Sequence, residues 1–154
     1  MENYEIIRKT MFELAEINGY PTNPICLQEY ILHYLKEIDP KNKMNSVRAR
    51  NTSYVFAVLC NEFFLINQDR VPINHFFVRQ ERWQKMNVKQ KMLESSLKIL
   101  KKMLLINYRN IEHPNQPYGY IRVFEINNFR LSQIKDEIMN NTNWLLLDIT
   151  SKTT

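Results

Sequence analysis

Lys89, Gln90, Lys91, Glu94, Ser95 and Lys98 crowd into one short stretch, "KQKMLESSLK". In this spacing they form no recognisable catalytic motif, and the chemistry they suit is recognition. A lysine ammonium neutralises a phosphate without regard to sequence. A glutamine amide offers a donor beside an acceptor, which matches the N6/N7 edge of adenine. Serine can meet either a base or a phosphate. Glu94 is the odd member, because its charge opposes phosphate binding, although a carboxylate can accept from cytosine N4.

The same residues belong to a helical pattern. Leu93, Leu97, Leu100 and Met103 recur every three or four residues and so share one helix face, with the lysines mostly on the others. An ordinary amphipathic helix with a lysine-rich outside would satisfy this pattern equally well, so the flanking sequence has to decide.

Charge distribution is the first flank. Residues 79–109 hold nine lysines and arginines against Glu81 and Glu94. Residues 41–50 hold Lys41, Lys43, Arg48 and Arg50 and no acid, whereas residues 1–40 hold seven acids against three bases. The net charge of +5 over 154 residues is therefore concentrated in two segments, as expected of a surface that attracts a polyanion. Arg48, Arg50 and Arg79 are candidates for flanking phosphate contacts, with Arg48 and Arg50 read first as linker charges. Lys101 and Lys102 fit a helix C-terminus, where the dipole favours cations.

Catalysis finds little to work with. His33, His75 and His113 lie far apart, in no metal-ligand spacing, and there is no Cys-x-x-Cys. Gly19 and Gly119 are the only glycines, which excludes a glycine-rich phosphate loop of the P-loop or dinucleotide type. Glu2, Glu5, Glu13 and Glu16 read as a solvated helix face. The expectation is a protein that is not an enzyme and uses no cofactor and no metal. Cys26 and Cys60 sit in apolar helical patterns and read as buried thiols of a reducing compartment. No apolar run reaches the roughly 18 residues of a membrane span, and residues 1–10 lack the apolar core of a signal peptide. The expected location is the cytoplasm.

The elements that must position these residues follow from periodicity. Helices are expected over residues 4–18 and 25–38, followed by a polar connector over 41–51. A strongly apolar helix is expected over 53–66. "HFFV" at residues 75–78 leads into a short helix over 79–86 anchored by Trp83. Asn87–Val88 is a tight link to the helix over 89–104. Residues 104–111 and 120–126 alternate and flank a turn-rich loop, so they read as a hairpin. A last helix over 129–138 and a short apolar tail over 144–149 complete the chain. Helix, short helix, tight link, longer helix, strand, loop, strand is the order of a winged helix-turn-helix. The predicted fold is mainly α with a small β-hairpin, a winged helix-turn-helix with an added N-terminal helical pair. It divides into residues 1–40, the winged helix over 41–138, and a C-terminal tail over 139–154. In the wing, Arg109, His113, Asn115 and Gln116 are candidates for contact with the nucleic-acid backbone.

Residues 76–106, "FFVRQERWQKMNVKQKMLESSLKILKKMLLI", resemble the winged helix-turn-helix domains of phage and plasmid replication proteins of low-GC bacteria. Trp83 stands where that group has an aromatic at the end of its short helix. Lys89 to Lys98 match its recognition helix, and Leu100, Leu105 and Ile106 its closing apolar positions. Residues 113–127, "HPNQPYGYIRVFEIN", are similar to its proline-containing wing, and residues 46–64 look like the preceding helix. The likeness spans half to two-thirds of the chain. It implies sequence-specific binding of duplex DNA, in replication or transcription control of a phage or mobile element. Two glycines of the pattern are replaced. Asn87 occupies the turn, where Asn tolerates a left-handed backbone. Leu104 stands before the first hairpin strand, which implies a different exit from the helix or a helix one residue longer. The N-terminal helices, being acidic, are expected to serve a host or replication protein or a homodimer. The competing function is a non-enzymatic adaptor or inhibitor that uses the same basic face to bind a host protein.

Overall fold

The structure is a computed structural model that describes residues 31–32, 34–35, 46–67, 73–115 and 119–139. The expected helix over 4–18, most of that over 25–38, Gln116 and the C-terminal tail lie outside the described residues. The chain is mainly helical with a small antiparallel sheet: α1 (Ser46–Asn67), β1 (His75–Phe77), α2 (Gln80–Lys85), α3 (Gln90–Lys102), β2 (Ile106–Glu112), β3 (Tyr120–Ile126) and α4 (Asn128–Met139). No described helix is long and apolar enough to cross a membrane.

Two expectations about elements are corrected. Residues 46–51 are not a connector but the first turns of α1. Their polar sequence hides the fact that Ala49, Thr52 and Ser53 are all fully buried, small residues that allow close packing rather than an apolar stripe. The Ser53 hydroxyl also donates to the Arg50 carbonyl at 3.0 Å. The hairpin, in turn, is part of a three-stranded sheet of order β1-β3-β2. β1 pairs His75 with Glu125, Phe76 with Phe124 and Phe77 with Val123. Three residues are too few for alternation to announce a strand.

Alternation along β3 sends Phe124 and Ile126 to the face covered by the helices. Phe124 is the hub of the core. Its ring centroid lies 6.0 Å from Phe76, 6.3 Å from Trp83 and 6.1 Å from Tyr108. Trp83 is 4% exposed, as its place on the short helix requires. Leu93, Leu97 and Leu100 of α3 are buried in the same core as Val55, Leu59 and Phe63 of α1. Ile31, Tyr34 and Leu35 are buried in it as well.

Polar ties fix the helices to one another. Glu62 of α1, 5% exposed, receives the Arg82 guanidinium of α2 on one oxygen, with Nε at 2.7 Å and Nη2 at 2.6 Å. The Tyr54 hydroxyl donates to the Met86 carbonyl at 2.8 Å, at the end of α2. Asn67 donates to the Phe63 carbonyl and accepts from the Ile73 amide, joining the end of α1 to the approach of β1.

α2 and α3 stop in the same way. After α2, Asn87 takes φ 60°, its amide bonds to the Gln84 carbonyl, and the Val88 amide bonds to the Trp83 carbonyl. After α3, Leu104 takes φ 66°, its amide bonds to the Lys101 carbonyl, and the Leu105 amide bonds to the Leu100 carbonyl. Both are Schellman caps with their left-handed residue in place. The expectation for Leu104 is therefore corrected: α3 ends at Lys102, and leucine adopts the backbone that glycine would have taken. Burial explains why. Leu105 and Ile106 are at 0% and 3% exposure, and only a sharp reversal after Met103 seats both in the core.

Candidate nucleic-acid interface

The apolar face of α3 lies on the core, so its other face is presented to solvent. Lys89, Gln90, Lys91, Ser95 and Lys98 are all exposed, and Glu94 is half-exposed. Lys89 is the N-cap residue, with extended backbone and no side-chain hydrogen bond to the helix. The first amides of a 13-residue helix are thus uncapped by a side chain on the side where three of these residues gather. Lys89, Lys91 and Lys98 form no ion pair among the described residues.

Two grooves run along this helix. One, of about 180 Å³, is lined by Arg79, Gln80, Gln90, Tyr120 and Arg122 among others, and so brings Arg79 to the N-terminal end of α3. The other, of about 370 Å³, is lined by Val47, Arg48, Asn51, Met92 and Ser95 and brings the start of α1 to the opposite flank. Arg48 and Arg50 are consequently not linker charges: both are exposed residues of α1, and Arg48 shares a groove with Ser95.

The wing candidates are more scattered. Arg109 is exposed on β2 and pairs with Val123, so alternation directs it to the sheet face away from α3. The His113 amide bonds to the Gly119 carbonyl at 2.9 Å and closes the hairpin. Its ring Nδ1 is buried without a partner among the described residues. Asn115 is exposed at the turn. Arg82, counted in the basic stretch, is occupied with Glu62 and serves the core.

Arg122 is the residue the sequence reading missed. It shares the parity of Phe124 and Ile126 and therefore faces α3, where its Nη1 lies 2.7 Å from Glu94 Oε1. Its Cζ sits 5.3 Å from the centre of the Tyr108 ring, and Nε lies 3.4 Å from Asn110 Oδ1 on the paired strand. Glu94 also accepts from Gln90 Nε2 at 2.9 Å. The charge expected to repel phosphate is thus met from within the protein. Lys101 lies 4.8 Å from the Tyr108 ring centre, a cation–π contact rather than a purely solvated helix-end charge.

The candidate residues brought together are those of α3 with Arg48 and Arg79 on its flanks and Arg122 against it. Arg109, His113 and Asn115 belong to the hairpin. No protein-family model, no curated protein and no solved structure matches the chain.

Proposed function

We propose that α2, the Asn87 turn and α3 form the helix-turn-helix of a winged helix, and that α3 reads duplex DNA in the major groove. Element order and the β1-β3-β2 sheet agree with that architecture. The observation that carries the reading is the outer face of α3: a run of exposed lysine, glutamine and serine with no packing duty, flanked on both sides by arginine-bearing grooves. Such a face supplies the two parts of recognition, phosphate contacts that set position and a base-reading amide. The open amides at the N-terminus of α3 suit a phosphate oxygen, since helix dipole and N–H groups point the same way. The biological setting proposed is replication or transcription control by a phage or mobile element.

Three alanine variants of the full chain test this against duplex DNA. Lys91→Ala and Lys98→Ala should weaken binding alike on any sequence, and each should lower the slope of log K against log salt by about one. Gln90→Ala should leave the slope unchanged and lose roughly 1–3 kcal/mol of discrimination at one base pair. Wild-type binding by all three, or no binding by the unaltered chain at physiological salt, would discard the reading. A protein partner lost from the same three variants would then favour the adaptor function.

A further inference from the structure

Resting on the DNA-reading role of α3, we infer that Arg122 of β3 is a positioning residue that, through Glu94, orients the Gln90 amide to read an A·T pair. The geometry is closed at Glu94 Oε1, which receives Arg122 Nη1 at 2.7 Å and Gln90 Nε2 at 2.9 Å. An ionised carboxylate only accepts, so the Gln90 group that faces it must be the NH₂. One amide proton is thereby engaged. With the proton trans to the amide oxygen donated to Glu94, the cis proton and the carbonyl oxygen remain side by side and in fixed order. That donor–acceptor pair complements adenine N7 and N6, while guanine's two acceptors would leave the amide oxygen unpaired.

Arg122 is needed because Glu94 has other choices. Lys91 and Lys98 stand at i−3 and i+4 from it on the same helix, the spacings at which oppositely charged side chains meet. The strand arginine takes the carboxylate instead. Its side chain is only 18% exposed and is held on the Tyr108 ring, so it offers Glu94 a prearranged donor. Both lysines are left available for phosphate. The strand entering from the wing thus sets what the helix reads without touching the base.

The test uses the full chain and a duplex that it selects from a random pool, with every base pair then varied. Gln90→Ala should lose roughly 5- to 150-fold of discrimination at one A·T pair. Arg122→Met should lose about tenfold at that same pair and little elsewhere. The double variant should discriminate no worse than Gln90→Ala alone, because the two residues act as one unit. Glu94→Ala should reproduce the Arg122→Met loss, which covers the case of an Arg122 variant that folds poorly. Losses that add, or full discrimination in Arg122→Met and Glu94→Ala, would overturn the inference while leaving DNA binding intact. Failure of the unaltered chain to bind any duplex would instead remove the DNA reading, and the role of Arg122 with it. A readout without DNA completes the set: the Gln90 side-chain amide resonances should move toward those of a free glutamine in Arg122→Met. Unchanged resonances would break the relay.

Discussion

Leu104→Gly should make this protein more stable. Leu104 is held at φ 66° by the amide bonds that close α3, and an L-residue with a side chain pays about 1–2 kcal/mol to sit there. Glycine escapes that cost but gains freedom in the unfolded chain, worth about 0.5–1 kcal/mol against folding. Leu104 is 63% exposed, so the apolar contact it would forfeit is small. The balance favours the variant by about 0.5 kcal/mol, or roughly 1–2 °C in Tm for a chain of this size. Leu104→Val should go the other way by about 1 kcal/mol, since β-branching makes the left-handed backbone worse. Asn87→Gly is the internal control. Asn already tolerates φ 60°, so its gain should be smaller than that of Leu104. Urea and thermal unfolding of the three variants measure all of this. A Leu104→Gly protein destabilised by more than about 1 kcal/mol would show that the leucine side chain packs usefully, and the strain argument would fall.

Trp83→Ala should cost about 3–5 kcal/mol in chemical denaturation, because it removes a buried aromatic from the edge of Phe124; wild-type stability would mean that the short helix does not anchor the core. Arg82→Met should cost about 2–4 kcal/mol by leaving the buried Glu62 carboxylate unpaired, and adding Glu62→Gln should recover part of the loss; equal losses in the single and double variants would contradict this. Burial, and then the hydrogen bond to Glu137, push the Tyr34 phenol up to about 12 from its ordinary 10. Between those values the unfolded chain releases a proton that the fold retains, so stability falls as pH rises from 10 toward 12. Tyr34→Phe should lack that part of the alkaline loss, and identical profiles for the two proteins would refute the assignment.

The parts legible in the sequence are those in which one residue type repeats with a period. The leucines of α3 disclosed its buried face and, by exclusion, Lys89, Gln90, Lys91, Ser95 and Lys98. Alternation from Tyr120 to Ile126 disclosed β3 and its two faces. Periodicity missed the start of α1, which the resemblance over residues 46–64 includes, because its buried positions are Ala49, Thr52 and Ser53, which carry no apolar signal. β1 gave no signal of its own in periodicity, because three residues hold no period. The turn at Leu104 escaped because local preference argues against leucine there, and the burial of Leu105 and Ile106 overrides it. Arg122 was within reach. Its parity with Phe124 and Ile126 is visible in the sequence, but only a knowledge of what covers that face turns parity into a partner for Glu94.

The matched stops on either side of α3 have a consequence for how such a protein can change. Backbone amides and carbonyls do the fastening at both ends, and buried residues hold the inner face. The side chains of Lys89, Gln90, Lys91, Ser95 and Lys98 take no part in that fastening, so they can mutate without threatening the scaffold. Inserting or deleting one residue is another matter, since each step turns a helix by about 100° and would swing the outer face away while dragging leucines into water. The fold thus leaves side-chain identity open at these five positions but fixes their number and spacing. A library randomised at those five positions at constant length should therefore yield folded proteins of altered preference, whereas one with length variation should yield mostly unfolded ones.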